Sequence, residues 1–335
     1  MNIEEVLKKY FPDRIEVSFE EFGSGAINQT YRVFVIYENK YYILQKMSKI
    51  IDPLVMENIE VITKHLAFKN ILTQEVVKTL DKKLFVIDGM SWWRMLTYIP
   101  GIIFVSLESK EQAYEAGKFL GKFHTALSDC HYHFKYNIPH YHDTDFDMKN
   151  LKETLLENMK TEKYIILKDL GESVLEEYQK IITGFDVSNL PVRITHQDLK
   201  ISNVLFNQDS SKVLALIDLD TLMKSNIAIE LGDALRSWCM SGAEDTEIVK
   251  FDREIYNMAL DGYFSTATFL TEAEKNSIPY GVKIIALGLS ARWITDAFNE
   301  SYWKLDSSKY KSLFEQNKKR AENQIAFYKE FSKEN

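Results

Sequence analysis

The amino-acid sequence predicts an α+β fold in two lobes: a small β-rich lobe over residues 1–98 and a larger helical lobe over residues 99–335. Two observations carry this reading. Before Pro100-Gly101 the chain is built of short runs of β-branched and aromatic residues parted by turn residues; after it, apolar residues recur at helical spacing. A length of 335 residues is enough for two cores, or for one core with a smaller satellite.

Residues 1–10 read as a short charged helix and 15–22 as a strand broken by Gly23-Ser24-Gly25. A second strand is expected at 30–37, with Glu38-Asn39-Lys40 turning the chain into a third at 41–45. One helix interrupts the pattern at 53–67, with Pro53 at a tolerated early position. Strands at 84–87 and 92–98 follow, joined by the hairpin turn Asp88-Gly89. In the second lobe, Ser109 and Gln112 read as a capping box ahead of Ala113, Ala116, Leu120, Phe123 and Leu127. Thr271 and Glu274 repeat that signature, and a long charged helix over 307–331 is expected to wrap the surface.

Composition narrows the function. A net charge of -8 argues against nucleic acid as a partner, because such binding neutralises phosphates with Lys and Arg. The two cysteines, Cys130 and Cys239, have no metal-like spacing and suit a reduced, cytoplasmic compartment. The longest apolar stretches, such as 282–291, are too short to cross a bilayer, so no membrane partner is expected.

The chemistry is concentrated in residues 194–220. Val204–Phe206 and 213–218 are apolar strand candidates around a polar turn at 207–212. Pairing Phe206 with Val213 puts Asn203 opposite Leu216, with Asp218 just beyond and Asp198 on the loop feeding the same end. Three oxygen-bearing side chains then converge, a donor set that suits magnesium. Phosphoryl transfer needs little more than such a metal site and a carboxylate to receive the attacking hydroxyl.

The run His196-Gln197-Asp198-Leu199-Lys200-Ile201-Ser202-Asn203 resembles the catalytic loop of the protein-kinase-like superfamily, and Ile217-Asp218 its metal-binding strand. With no Phe-Gly after Asp218 and with Leu231-Gly232-Asp233 downstream, the chain resembles the aminoglycoside phosphotransferase and choline kinase branch, whose members phosphorylate small molecules. The resemblance implies Asp198 as catalytic base, Asn203 and Asp218 as magnesium ligands, and His196 and Asp233 as structural braces. It further implies ATP as co-substrate, with Gly23, Ser24 and Gly25 covering its phosphates. Lys46 would then be the nucleotide lysine with Glu57 (or else Glu60) as partner, and Thr97 and Ile99 would lie at the adenine. A slip of one residue on that strand would turn Gln45, not Lys46, to the nucleotide.

Within that branch the chain looks most like the N-acetylhexosamine 1-kinases, through 23–31, 42–46, 52–59, 217–221, 232–236 and 291–296. That likeness implies an amino sugar as acceptor. Arg236 and Arg292 can donate to its hydroxyls or acetamide, and Tyr302, Trp303 and Trp293 can stack on a pyranose face. The plainer alternatives are an ion pair of Arg292 with Asp296 and a core role for Trp293. A kinase for choline, homoserine or an aminoglycoside is the second reading, and a nucleotide-binding pseudokinase the third. The histidines and aspartates of 131–147 fit no standard zinc spacing; there, His142-Asp143-Thr144 reads as a loop beside the acceptor.

Overall fold

The computed structural model describes residues 1–23, 28–47, 51–240, 242 and 249–334. The small lobe consists of α1 (Ile3–Tyr10), β1 (Val17–Glu21), β2 (Gln29–Val35), β3 (Lys40–Met47), α2 (Val55–Phe68), β4 (Val76–Val77), β5 (Val86–Asp88) and β6 (Ser91–Thr97). The strands pair antiparallel in the order β1-β2-β3-β6-β4, with β5 also on β6. The two faces of this sheet bury different partners. Leu44, Trp93 and Met95 pack with Val6, Leu7 and Tyr10 of α1. Ile43, Met47, Trp92 and Leu96 join Val55, Met56, Ile59 and Ile62 of α2 in the main core. The alternation of the pleat decides which side chains of β3 and β6 can reach a nucleotide.

The helical lobe opens with β7 (Ile102–Ile103) and α3 (Lys110–Leu127), then α4 (Thr144–Glu157), α5 (Glu162–Gly184) and β8 (Arg193–Thr195). Next come β9 (Val204–Phe206), β10 (Val213–Leu216), β11 (Met223–Ser225), α6 (Ile227–Trp238), α7 (Arg253–Phe264), α8 (Glu272–Asn299) and α9 (Leu313–Glu334). β10-β9-β7 form one small sheet and β11-β8 another. No helix among the described residues is long and apolar enough to cross a membrane.

Three local expectations change. Thr271 and Glu274 form the full reciprocal capping box, but at α3 Ser109 accepts from Gln112 N while the Gln112 side chain accepts from Glu108 N, one residue upstream. The last helix starts at Leu313 instead of 307, and it does not merely wrap the surface: Ala321, Ile325, Phe327 and Phe331 are buried. On the β9–β10 hairpin, Phe206 does face Val213, but a bulge between Val213 and Ala215 makes Leu216 face Val204, not Asn203.

Two close approaches fix the geometry around the site. A Cβ on Gly101, at the passage between lobes, would lie 2.5 Å from the Phe206 carbonyl oxygen. A Cβ on Gly232 of α6 would lie 2.5 Å from the carbonyl of Gly281 on α8, so these helices touch backbone to backbone. Gly232→Ala is therefore expected to lose about 1–3 kcal/mol of stability through overpacking, read as a lowered melting temperature. An unchanged melt would show that α6 and α8 have room to separate.

Candidate active site

The loop from β8 to β9 is pinned from beneath by acids of α6. Glu230, fully buried, accepts from His196 N at 2.8 Å, Gln197 N at 2.7 Å and Gln197 Nε2 at 3.2 Å. Its other contact is His124 Nε2 of α3 at 3.0 Å, and His124 Nδ1 lies 3.0 Å from the Tyr263 hydroxyl of α7. Burial alone pushes the Glu230 carboxyl up; the hydrogen bond and charge of His124, with His196, outweigh it and hold it below its ordinary value. Asp233, one turn on, accepts from Leu199 N at 3.0 Å, and Trp238 Nε1 donates to Leu199 O at 2.7 Å. His196 is buried with Nε2 2.9 Å from Ile217 O and Nδ1 3.3 Å from Asp198 N. That pair of contacts fits the tautomer in which Nε2 carries the proton.

Asp198, Asn203 and Asp218 meet at one end of the hairpin. Asn203 Nδ2 donates to the Asp198 carboxylate at 2.9 Å and to its carbonyl at 2.8 Å. Lys200 Nζ donates to the same carboxylate oxygen at 2.8 Å. Burial raises the Asp198 carboxyl, but Lys200 more than offsets it, with His196 and Asn203 adding to the effect, so the group stays below its ordinary value and ionised. Asp218 sits just past the Ile217 N–H bond to Asn203 O, in left-handed backbone with φ 63°. Burial, then the charges of Asp220 and Asp198, push its carboxyl up to about 6 against the pull of Lys200 and Arg94. Clustered carboxylates short of positive charge, beside an Asn203 amide that uses only its nitrogen, form an oxygen donor set that fits a divalent cation.

The nucleotide side differs from expectation at β3. Lys46 shares the α1 face of the sheet, its ammonium 5.5 Å from the Trp93 ring centre, and forms no ion pair with Glu57. Glu60 is bound by Lys64 and Lys78. The inward position belongs to Gln45, whose Oε1 accepts from Arg94 Nε at 2.8 Å and whose Nε2 donates to Thr30 Oγ1 at 3.1 Å. Arg94 in turn makes a two-pronged ion pair with Asp220, both side chains buried. Thr97 O accepts from Gln74 Nε2 at 3.3 Å, and Ile99 packs with Leu205, Ala215 and Ile217. A hollow of about 650 Å³ lies along this segment, lined by Arg32, Tyr41, Thr97, Tyr98 and Pro100 among others. Gly23 is left-handed with φ 79°; Ser24 and Gly25 lie outside the described residues.

Burial pushes the hydroxyl of the half-buried Tyr141 up, with the charges of Asp198, Asp233 and Tyr302 adding to the effect and that of Arg292 opposing it. His142 Nδ1 lies 3.1 Å from Gln197 Oε1. Arg292 lies 5.4 Å from the Tyr302 ring centre and 5.5 Å from that of Trp303. The alternative ion pair with Asp296 does not form: Asp296 accepts instead from Ser301 N, Tyr302 N, Trp303 N and Asn317 Nδ2. Arg236 is buried with its guanidinium 3.3 Å from Asp233. Trp293 is core, stacked on Trp303 at 3.9 Å. His140 pairs with Asp143, which caps α4.

Sequence reasoning did not single out Lys200, Glu230, Tyr141 or Arg94. Only Lys200 carried a local signal, a cation two residues after the base.

Asp147 of α4 is buried beside Arg292, and burial pushes its carboxyl up to about 7. Folding therefore takes up a proton between the ordinary aspartate range and about pH 7, and stability falls as pH rises through that window. Asp147→Asn should flatten this dependence, gaining about 2–3 kcal/mol on wild type between pH 5 and pH 8 in denaturant titrations. Parallel curves would place a proton-independent partner on Asp147.

The model of the phosphotransferase enzyme family matches residues 18–259. The structure of a microcompartment-associated aminopropanol kinase is 15% identical with a TM-score of 0.68, covering 98% of this chain and 95% of that one. An aminoglycoside phosphotransferase from Alicyclobacillus acidocaldarius is 14% identical with a TM-score of 0.65, covering 99% and 96%. An amicoumacin kinase solved with AMP-PNP, Ca2+ and Ami is 15% identical with a TM-score of 0.64, covering 98% and 95%. These likenesses show the two-lobed kinase-like fold. With its small antiparallel sheet lobe, its larger helical lobe and a family match over residues 18–259 of 335, the chain belongs to the phosphotransferase enzyme family.

Proposed function

We propose that the protein transfers the γ-phosphoryl group of ATP, with magnesium, to the anomeric hydroxyl of an N-acetylhexosamine. The observation that carries the transfer is the meeting of Asp198, Asn203 and Asp218 at one hairpin end. Asp198 receives the proton of the acceptor hydroxyl; that oxygen bonds to the γ-phosphorus as the bond from phosphorus to the ADP oxygen breaks, and the proton later leaves Asp198 for solvent. Lys200 keeps Asp198 ionised and stands beside the site of developing phosphate charge. Asn203 through Oδ1 and Asp218 through its carboxylate would hold magnesium, which when bound neutralises charge on the phosphates. The amicoumacin kinase complex with AMP-PNP and Ca2+ supports a nucleotide with a divalent cation here. The base would lie against Thr97 and Ile99 over Leu205 and Ile217, the phosphates under the loop at Gly23, with Gln45 in the inward place first assigned to Lys46.

The sugar reading rests on Arg292, which forms no ion pair among the described residues, and on Tyr302, 62% exposed beside it. Together they offer a donor for an acetamide or hydroxyl and a face for a pyranose ring. A small amino alcohol is the second reading, as in the structurally similar aminopropanol kinase.

A panel of hexosamines and amino alcohols assayed for ADP release separates the two; turnover of choline or an aminoglycoside without any hexosamine would remove the sugar and leave the kinase. Asp198→Asn should lower turnover at least about 10²-fold with nucleotide binding retained. Near-normal turnover would strip Asp198 of the base role. Arg292→Ala should raise the sugar KM about ten- to a hundredfold and leave the ATP KM little changed. Equal losses for both substrates would take Arg292 out of the acceptor pocket.

A further inference from the structure

The sheet lobe reaches the turn after Asp218 through a buried cation, beside the packing of α2 on that turn. Arg94 is 1% exposed, on the β6 face shared with Trp92 and Leu96. Each of its nitrogens has a partner: Nε donates to Gln45 on the neighbouring strand, and the two terminal nitrogens donate to the two oxygens of Asp220, with Met56 Sδ of α2 at 3.9 Å. Asp220 lies in the single turn Leu219–Thr221, directly after the left-handed Asp218. A fork-to-fork pair fixes direction as well as distance. The pair assigned from sequence, Lys46 with Glu57, cannot do this, since Lys46 is on the opposite face and Glu57 is not joined to it.

We propose that Arg94 is a positioning residue which, through Asp220, aims Asp218 at the nucleotide's metal and sets the spacing between sheet lobe and metal-bearing turn. Arg94 touches no reacting atom in this scheme. The proposal rests on the phosphotransferase reading above. It assigns to an arginine of β6 and an acid two residues past the metal ligand the coupling of the lobes. Gln45, neutral, keeps the guanidinium pointing along the cleft by holding Nε.

The test measures magnesium-dependent binding of AMP-PNP by calorimetry to the full chain, with thermal melts alongside. Arg94→Gln and Asp220→Asn should each raise the magnesium concentration for half-saturation at least about tenfold, with metal-free nucleotide affinity within about twofold of wild type. The apolar double variant Arg94→Met with Asp220→Leu is the folded control, because a well-packed apolar pair replaces a buried ion pair without stranding a charge. It should be no worse than either single variant, since all three break one contact. Arg94→Lys, which keeps the charge and loses the fork, should fall between wild type and Arg94→Gln. An unchanged magnesium requirement in the folded double variant, or a lowered melt with unmoved binding constants, overturns the positioning role and leaves the pair as packing. Failure of wild type itself to bind magnesium and AMP-PNP overturns the phosphotransferase reading and this one with it.

Discussion

Four donors converge on the buried carboxylate of Glu230: two backbone N–H groups of the catalytic loop, the Gln197 amide and the His124 ring. A loop that crosses a core leaves its backbone polar groups in need of partners, and each one stranded costs about 1–3 kcal/mol. Glu230 satisfies two at once where Gln197 adopts a left-handed φ of 69°. Because His124 reaches Glu230 from α3 and Tyr263 from α7, the acid also ties three helices to one point. The position of Asp198 is thus set jointly by packing of the helical lobe and by the loop's own contacts from His196, Lys200 and Asn203.

The candidate catalytic residues were legible because they lie within 20 positions of one another, where one loop and one hairpin force proximity. Asp198, Asn203 and Asp218 needed only one hairpin to meet, and even the bulge after Val213, which no pattern of side chains announces, moved the register without separating them. Residues that depend on distant packing were less legible. The run Gln45-Lys46 looks the same from either face; only the burial of Leu44 against α1 and of Ile43 and Met47 against α2 decides which one points inward. Glu230 and Arg94 carry no local signal, since their partners lie 34 and 126 residues away. The last helix misled for another reason: its many charges drew attention from an apolar stripe that α8 covers.

The side proposed for the acceptor is organised by a different acid. Asp296, at the end of α8, gathers the N–H groups of Ser301, Tyr302 and Trp303, and in doing so turns the chain back over Arg292. Sequence spacing suggested that Asp296 would neutralise Arg292 across one helical turn. Backbone donors took that carboxylate instead, since the N–H groups of the turn after the helix have no regular partner and compete strongly for a nearby acid. The arginine is left facing aromatic rings.

The contact between Gly232 and Gly281 has a consequence for selectivity. It presses the helix bearing Asp233, which braces the base, directly against the helix bearing Arg292, with no side chain between them to compress or swing. The span from base to proposed acceptor anchor is then a hard-sphere dimension, like the gap of a fixed calliper. On the proposed function, an acceptor of another length would not be met by sliding these helices apart or together, and tolerance for new substrates would reside in Tyr302 and the segment carrying Tyr141 and His142.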